Sequence, residues 1–203
     1  MLDSRLRPMI DPPLARIATL LTRRGVPANL VTGAGLGIGL LAACAAGRGC
    51  FSTALGLFLL SRLFDGLDGH VARQHKPTGL GGHLDLMADF TVYAALPLGI
   101  AVAMPDTALV TAFLLASFYI NAASFFGTAI LAERRRLRSS ANGPKSHYHP
   151  RGLIEGAETI AFFTICLLVP DWFAMLAPVF ALLTLWTAAS RIPVAWRLER
   201  GEG

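Results

Sequence analysis

Six long apolar runs, separated by proline, glycine and charged residues, constrain the fold of this chain more than any other feature. A helix that crosses a membrane needs about 20 mostly apolar residues, and each run is close to that length. The runs are Asn29–Ala46, Phe51–Val71, His83–Met104, Thr107–Ala132, Leu153–Val169 and Trp172–Trp196. The sequence therefore predicts an all-α integral membrane protein, with six transmembrane helices in one bundle.

The composition agrees with a membrane protein. Hydrophobic residues make up 54% of the 203 residues, only 15% are charged, and the mean hydropathy is +0.54. Because a soluble domain carries roughly 25% charged residues, this chain has too few polar side chains to cover itself in water. Disorder, a coiled coil and a secreted disulfide scaffold are excluded. The net charge of +5 fits a positively charged membrane face, and no nucleic-acid partner is expected.

The basic residues predict how the bundle is oriented. Six spans put both termini on one side of the membrane, and that side carries nearly all the arginines and lysines outside the spans. They are Arg5, Arg7, Arg16, Arg23, Arg24, Arg73, Lys76, Arg134, Arg135, Arg136, Arg138, Lys145, Arg151, Arg197 and Arg200. Arg48 lies in a loop on the other side. The positive-inside rule makes the basic face cytoplasmic, which predicts a multi-pass protein of the inner (cytoplasmic) membrane with its termini and active site in the cytoplasm.

An N-terminal segment, residues 1–25, precedes the predicted membrane domain at residues 26–203. Within it, Pro13–Arg24 has helical periodicity, with Arg16 and Arg23 opposite an apolar face. That face consists of Leu14, Ile17, Ala18 and Leu21. The pattern predicts an amphipathic helix lying in the plane of the lipid headgroups. The alternative is an ordinary amphipathic helix packed on the bundle.

Four aspartates interrupt the second and third apolar runs. Asp65 and Asp68 are three residues apart near the cytoplasmic end of the second run, and Asp85 and Asp89 are four apart at the start of the third. Both spacings put a pair of carboxylates on one helix face, and the two helices are joined at this same end. We therefore expect the four carboxylates to converge a turn or two below the cytoplasmic surface.

Such a cluster needs concentrated positive charge. A carboxylate costs about 2.5–3.5 kcal/mol at the centre of a membrane helix, and somewhat less near the interface. Arg62 and Arg73 neutralise part of the charge, but an all-oxygen cluster suits Mg²⁺ or Mn²⁺, with open positions for a phosphate ligand. Gly66 and Gly69 leave space beside the aspartates for a ligand or another backbone. The pattern predicts metal-assisted chemistry on a phosphate-bearing substrate; the alternative is a structural ion-pair cluster or small-residue helix packing.

The same residues resemble the signature of the CDP-alcohol phosphotransferase (CDP-alcohol phosphatidyltransferase) family, Asp-x2-Asp-Gly-x2-Ala-Arg-x8-Gly-x3-Asp-x3-Asp. Every defined position is filled, by Asp65, Asp68, Gly69, Ala72, Arg73, Gly81, Asp85 and Asp89. The gap between Arg73 and Gly81 holds seven residues instead of the more usual eight, which puts the shape of that loop in doubt. Asn29 and Thr32, which follow Pro27, are similar to the family's Pro-Asn-x-x-Thr approach to the first span.

The resemblance implies an enzyme of phospholipid biosynthesis with six spans and an N-terminal interfacial helix. Such an enzyme would transfer a phosphatidyl group from CDP-diacylglycerol to the hydroxyl of a small, phosphorylated polyol and release CMP. Two ions, Mg²⁺ or Mn²⁺, would be held by Asp65, Asp68 and Asp85, with Asp89 as the base and as a further candidate ligand. The donor-binding residues would be Asp65, Asp68, Gly69, Ala72, Arg73, Gly81, Asn29 and Thr32. The resemblance also implies a homodimer, for which the sequence itself indicates no interface.

A second charged region is the candidate acceptor site. Its residues are Arg134, Arg151, Arg191, Glu155 and Glu158. Arg191 is a charge inside an apolar run, and a phosphate bound by these arginines would make the acceptor anionic, such as glycerol 3-phosphate or an inositol phosphate. The alternatives are a topology signal or a contact with anionic lipids for the arginines, and stabilisation of a helix N-terminus for the glutamates.

Two other functions stay open at this point. Within the same chemistry, a CDP-linked small alcohol could be the donor and diacylglycerol the acceptor. From a different class, the four aspartates could form the ion site of a divalent-cation transporter. A transporter needs polar residues that continue toward the far side of the membrane, whereas the remaining parts of the second and third runs are almost wholly apolar.

Overall fold

The computed structural model describes residues 3–75, 77–139, 154 and 156–200, and within these ranges the chain is helical, without strands. The helices are α1 (Asp3–Arg23), α2 (Ala28–Gly47), α3 (Phe51–His75), α4 (Gly79–Ala103), α5 (Ala108–Ser139), α6 (Gly156–Leu168), α7 (Phe173–Ser190) and α8 (Ile192–Arg200). Short 3₁₀ turns at Pro105–Thr107 and Pro170–Trp172 connect α4 to α5 and α6 to α7. The all-α prediction is confirmed.

Four segments of the described chain are long and apolar enough to cross a membrane. They are Ala28–Gly47, Gly79–Ala103, Pro105–Arg134 and Pro170–Arg200. The fifth predicted run begins outside the described residues, and its helix α6 is apolar but only 13 residues long. The second run forms α3, which carries Arg62, Asp65 and Asp68 in its second half. The fold is that of a multi-pass membrane protein, and the count of six spans stays a prediction.

The sixth predicted run, Trp172–Trp196, lies within one candidate span, Pro170–Arg200. The helix is interrupted inside this span, because α7 ends at Ser190 and α8 begins at Ile192. Pro193 explains the break, because its ring nitrogen carries no hydrogen for the helical bond and its ring crowds the preceding turn. Arg191 therefore lies at a junction between two helices.

Helix α2 sets the positions of α3 and α4, because it packs against both. Small residues permit this close approach. A Cβ atom on Gly99 of α4 would overlap the carbonyl group of Ala43 on α2, and one on Gly39 of α2 would overlap the Val92 side chain of α4. On the α3 side, a Cβ on Gly35 would come within 3.1 Å of Phe64. The three helices thus form a tightly packed unit with little freedom to separate.

Aromatic side chains fill the centre of the bundle below the aspartates. Phe163 of α6 packs edge-on against Phe58 of α3, with ring centroids 5.8 Å apart, and stacks on Tyr93 of α4 at 6.1 Å. Phe162 stacks on Phe180 of α7 at 4.2 Å. Helix α6 therefore joins the α2–α4 unit to the pair formed by α5 and α7.

Helix α1 packs along α3. Leu14 and Ala18 are buried, and Leu14 contacts the position of Gly66 on α3. His70 Nε2 lies 3.5 Å from the carboxylate of Asp11. Ile17, which was predicted on the same apolar face, is 44% exposed. The structure thus shows the packed arrangement, while a position of the exposed apolar edge in the headgroup plane stays a prediction.

Candidate active site

The last turns of α3 and the first turns of α4 bring three of the four aspartates together. Each of Asp65, Asp68 and Asp85 offers one carboxylate oxygen, and these three oxygens lie within 4.8 Å of one another. Asp68 is buried, with 4% of its surface exposed, whereas Asp65 and Asp85 are half-buried. These three carboxylates therefore converge as predicted, and Asp89 joins them through a side-chain hydrogen bond with Asp65.

The start of α2 completes this cluster. The hydroxyl group of Thr32 donates a hydrogen bond to the Asp68 carboxylate. Asn29, one turn earlier, lies close to Gly81 at the start of α4, where a Cβ atom would be 3.3 Å from the Asn29 side-chain oxygen. The structure thus brings both α2 residues of the predicted donor site beside the signature residues.

Asp89 contacts both Asp65 of the cluster and an arginine. Its carboxylate lies 2.5 Å from Nη1 of Arg62, a residue of α3 whose side chain is 6% exposed. The same Arg62 nitrogen is 4.0 Å from the Asp65 carboxylate. Among the described residues, the three-carboxylate group that could hold a metal ion does not include Asp89. One small cavity is lined by Thr32, Ser61, Arg62, Asp65, Asp68 and Asp89.

The three-carboxylate group fits a hard divalent cation. Mg²⁺ binds oxygen ligands at about 2.0–2.1 Å, so oxygens on opposite sides of one ion are about 4.2 Å apart. Three oxygens spaced evenly around one such ion are at most about 3.6 Å from one another. The three carboxylate oxygens, which lie within 4.8 Å of one another, would therefore approach by about 1 Å through side-chain rotation. All the donor atoms are carboxylate oxygens, and oxygen ligands are the ones that Mg²⁺ and Mn²⁺ prefer.

The glycines around the cluster have two different roles. At Gly66 the space is used by helix α1, because a Cβ atom there would come within 3.1 Å of Leu14. Of the two predicted uses, a ligand or another part of the chain, the structure shows the second. Gly69 lies beside the guanidinium group of Arg73, which would be 3.5 Å from its Cβ. Ala72 is half-buried and Arg73 is exposed. Gly69, Ala72 and Arg73 therefore form an accessible edge of α3, one turn beyond Asp68.

Two of the predicted acceptor residues lie together on a second feature. Arg134 of α5 and Arg191, at the junction of α7 and α8, both line an open groove of about 700 Å³ between these helices. Arg191 is buried, donates a hydrogen bond to the Asn121 side chain at 2.6 Å and lies over the ring of Phe125. Glu158 is half-buried on α6. Arg151 and Glu155 lie outside the described residues.

Sequence analysis missed the residues that surround Arg62. Nη2 of Arg62 donates to the hydroxyl group of Ser61 at 3.1 Å, and the Ser61 hydroxyl donates to the Gly35 carbonyl of α2 at 2.7 Å. The guanidinium group also lies over the rings of Tyr93 and Phe58, 5.1 and 5.9 Å from their centroids. The only hint in the sequence was that Tyr93 follows Asp89 by one helical turn.

Known proteins with similar sequence or fold include a membrane protein and an enzyme. The chain is 38% identical over 193 residues to the inner membrane protein YnjF of Escherichia coli (strain K12), covering 95% of this chain and 94% of that protein. The fold is similar to that of phosphatidylinositol phosphate synthase (PgsA1) from Mycobacterium tuberculosis with CDP-DAG bound. That match has a TM-score of 0.70 at 22% identity and covers 90% of this chain and 93% of that one.

A second structure of the same synthase, in complex with manganese and citrate, matches with a TM-score of 0.68 at 20% identity, over 90% of this chain and 88% of that one. At these identities the two structures establish the fold. The family itself follows from the sequence, because residues 25–190 match the model of the CDP-alcohol phosphatidyltransferases. That range includes the whole carboxylate cluster and the α2 residues beside it. The chain therefore belongs to the CDP-alcohol phosphatidyltransferase family of membrane transferases.

Proposed function

We propose that this protein transfers the phosphatidyl group of CDP-diacylglycerol to a hydroxyl group of a small phosphorylated polyol and releases CMP. The observation that carries the proposal is the convergence of Asp65, Asp68 and Asp85 within 4.8 Å, with Asp89 adjacent on α4. The family assignment and the CDP-DAG bound to the M. tuberculosis synthase support this choice of donor.

The chemistry divides between the ions and the residues of the chain. Asp65, Asp68 and Asp85 would hold two divalent ions, Mg²⁺ or Mn²⁺, which neutralise charge on the donor diphosphate and on the departing CMP. Asp89 would accept the proton of the attacking hydroxyl. Its second predicted role, as a further metal ligand, stays part of the proposal, since its carboxylate lies beside that of Asp65. Arg73, exposed on the edge of α3, would bind a donor phosphate.

The surroundings of the cluster suit a nucleotide. Asn29, Thr32 and Gly81 lie next to the carboxylates. Gly69 and Ala72 carry little or no side chain on the exposed edge of α3, which leaves room there for the cytidine group. With these residues, the donor would lie along the ends of α2, α3 and α4.

The position of the cluster suits a reaction between a lipid and a soluble molecule. In the proposed topology, residues 26–203 form six spans, residues 1–25 lie along the headgroups, and the carboxylates lie at the cytoplasmic face of the inner membrane. The donor then reaches the cluster from the bilayer and the acceptor reaches it from water. The description of the E. coli relative as an inner membrane protein supports this location.

The groove lined by Arg134 and Arg191 is the proposed site for the acceptor phosphate. Aromatic contacts connect it with the cluster: Arg191 lies over Phe125, Phe125 contacts Phe126, and Phe126 contacts Phe90 of α4 at 6.0 Å. Phe90 directly follows Asp89 in the chain. Arginine guanidinium groups bind phosphate through paired, charge-assisted hydrogen bonds, so an acceptor that carries a phosphate is favoured over a neutral one.

The test supplies the purified full chain with CDP-diacylglycerol and Mg²⁺ or Mn²⁺, together with one acceptor at a time. The panel is glycerol 3-phosphate, inositol phosphate, inositol and serine, and both CMP and the lipid product are measured. We expect CMP release with a phosphorylated polyol. Asp89→Asn should lower it about 10²–10⁴-fold at saturating metal, the usual contribution of a general base.

Each alternative gives a different result. If a neutral acceptor reacts best, the groove lined by Arg134 and Arg191 is not a site for an acceptor phosphate. Lipid formed from a CDP-linked small alcohol and diacylglycerol, with no CMP from CDP-diacylglycerol, would reverse donor and acceptor. Cation uptake into sealed vesicles without CMP release would identify a transporter. Unchanged turnover in the Asp89→Asn variant would remove this residue as the base.

A further inference from the structure

Helix α8 carries a stripe of exposed side chains that changes from apolar to basic along its length. Ile192, Trp196 and Arg200 are four residues apart, so they share one helix face, and all three are exposed. The residues of the opposite face are half-buried; they are Val194, Ala195 and Leu198. Because α8 packs against α5, the exposed stripe lies on the side of α8 that faces away from the bundle.

The length of the last candidate span places α8 outside the hydrocarbon core of a membrane. That span, Pro170–Arg200, has 31 residues, and at about 1.5 Å per residue it extends for roughly 46 Å. The hydrocarbon core is about 30 Å thick, or about 40–45 Å with the headgroup layers. The 18 residues of α7 alone extend for about 27 Å. Since α7 is nearly long enough to cross the core, α8 begins where the lipid headgroups begin.

Two exposed tryptophans indicate the same depth independently. Trp172 and Trp196 are 24 positions apart in the chain, which is about 36 Å along a helix. Tryptophan is enriched at both interfaces between membrane and water, and this separation exceeds the hydrocarbon core by a few ångströms on each side. Trp172 therefore marks one interface, and Trp196 of α8 marks the other.

The guanidinium group of Arg200 lies over the Trp196 ring, with its central carbon 3.7 Å from the ring centroid. This contact holds the charge of Arg200 at the depth of the tryptophan. The N–H groups of a guanidinium point outward in its own plane, so a ring against one face leaves its edges directed at other ligands. Arg197, beside Trp196 in the chain, is also exposed. Phosphate oxygens suit such edges, because they accept paired hydrogen bonds.

The charge around α8 favours anionic lipids. Helix α8 and the last two turns of α5 contain six arginines and two glutamates, which gives this corner an excess of positive charge. These residues are Arg134, Arg135, Arg136, Arg138, Arg197, Arg200, Glu133 and Glu199. Each arginine near a membrane surface contributes about a fivefold preference for anionic lipid. At the other end of the same span the exposed tryptophan follows an acidic residue, Asp171.

We propose that the exposed face of α8 is a docking surface for the headgroups of anionic phospholipids. Ile192 lies at the edge of the acyl chains, and Trp196 lies at the level of the headgroups. Arg197 and Arg200 bind the lipid phosphates. This inference goes beyond the proposed function and uses none of the residues assigned to the metal, the donor or the acceptor. Because Ala195 of α8 lines the groove beside α5, a lipid that holds α8 also holds one wall of that groove.

The experiment measures which lipids surround Trp196 in the full chain, reconstituted into vesicles. Trp172→Phe together with Trp186→Phe leaves Trp196 as the only tryptophan of the three. Phosphatidylglycerol with brominated acyl chains is compared with equally brominated phosphatidylcholine, because bromine quenches tryptophan fluorescence at contact. We expect the apparent affinity for phosphatidylglycerol to be at least about fivefold higher at low salt. In about 0.5 M NaCl the preference should fall below about twofold, because salt screens exposed charges.

The tryptophan at the opposite interface is the matched control. Trp186→Phe together with Trp196→Phe leaves only Trp172, which is exposed in the same way but follows Asp171 in place of preceding arginines. Both brominated lipids should quench this tryptophan, which shows that it is in contact with lipid. They should do so equally, because no excess of arginine lies next to it in the chain.

A second comparison assigns the preference to the arginines of α8. In the protein that keeps only Trp196, Arg197→Gln combined with Arg200→Gln should lower the preference for phosphatidylglycerol below about twofold. Arg48→Gln removes an exposed arginine from the loop between α2 and α3 and should leave the preference unchanged. Thermal unfolding of each variant identifies the ones that are folded.

The results that would overturn the proposal are distinct. Equal quenching of Trp196 by the two lipids would remove the preference for anionic headgroups. No quenching by either lipid would place α8 in water or against another protein. A preference that survives the two substitutions in α8 would belong to the end of α5. If that variant does not fold, the salt dependence decides, since a preference that persists in about 0.5 M NaCl would contradict binding through exposed arginines.

Discussion

Two buried arginines, Arg62 and Arg191, lie in regions of very different construction. Arg62 is enclosed by α3 and α4, faces two carboxylates, and belongs to a unit in which α2, α3 and α4 pack almost without space between them. Arg191 donates to the neutral side chain of Asn121 and lines an open groove. The closed region, formed by Arg62 and the four aspartates, has the rigidity that the proposed ions and base would require. The open region, the groove lined by Arg134 and Arg191, has room for the proposed substrate to enter and leave.

The largest effect should come from removing a carboxylate of the closed region. Asp85→Asn keeps the shape of the side chain but takes one charge from the three-carboxylate group. We expect Mn²⁺ binding to be lost and CMP release to fall at least about 1,000-fold, because stabilisation of developing charge is usually the largest catalytic contribution. Isothermal titration and the CMP assay measure the two effects.

His83→Gln is the matched control for Asp85→Asn. His83 is exposed and lies two residues earlier, on the first turns of the same helix. The control should bind metal and release CMP like the natural protein. Equal losses in both variants would indicate that the start of α4 is merely fragile, and retention of metal by Asp85→Asn would remove this residue from the ligands.

Removing a charge from the open region should weaken binding of the acceptor. Arg134→Gln removes an exposed charge from the groove without disturbing a buried residue. A hydrogen bond to a charged group contributes about 1.5–3 kcal/mol, and exposure to solvent reduces that, so we expect about a tenfold higher KM for a phosphorylated acceptor. Steady-state kinetics with varied acceptor, at saturating donor, checks this.

Arg48→Gln provides the control for Arg134→Gln. Arg48 is an exposed arginine in the loop between α2 and α3, away from the predicted basic face, and its side chain donates a hydrogen bond to the Cys44 carbonyl at 3.5 Å. The same loss of charge there should leave KM unchanged. A fall in kcat without a change of KM in Arg134→Gln would break the assignment of the groove to recognition.

The closed region was the more predictable one. The spacing of Asp65 and Asp68, the start of the third run at Asp85 and the short connection between them were enough to bring three carboxylates together. Helix geometry determines the position of each carboxylate from these short distances along the chain. Arg62 was expected to neutralise part of this charge, but its contact with Asp89 in particular was not predictable. That contact depends on the orientation of the Arg62 side chain, which Tyr93 and Phe58 help to fix from two helices.

Long-range packing decides most of the remaining features. Gly66 was expected to give room to a ligand or another backbone, and its neighbour is Leu14, 52 positions earlier in the chain. The apolar face of that helix was predictable, but which part of the bundle it contacts was not. The break at Arg191 could have been predicted from Pro193, since proline interrupts a helical bond. The groove beyond it was not predictable, because its shape depends on how α5, α7 and α8 diverge.

The smallest expected effect tests whether α2 holds the Asp68 carboxylate in position. Thr32→Val keeps the size of the side chain but removes the hydroxyl that donates to Asp68 and also lies 3.1 Å from the Ala28 carbonyl. Asp68 is then left with one donor fewer in a buried position. A net hydrogen bond contributes about 0.5–1.5 kcal/mol, so the Mn²⁺ affinity should fall about threefold to tenfold, while the protein stays folded.

Thr91→Val tests whether that loss belongs to the carboxylate contact. The Thr91 hydroxyl donates to the Met87 carbonyl one turn earlier, at 2.7 Å, on an outward part of α4. Both variants thus lose a hydroxyl bonded to its own helix, but only Thr32→Val loses a donor to Asp68. Mn²⁺ titration of the pair should show the drop in Thr32→Val alone. An equal drop in both would mean that helix stability, and not the placement of Asp68 by α2, limits how tightly the closed region holds its ion.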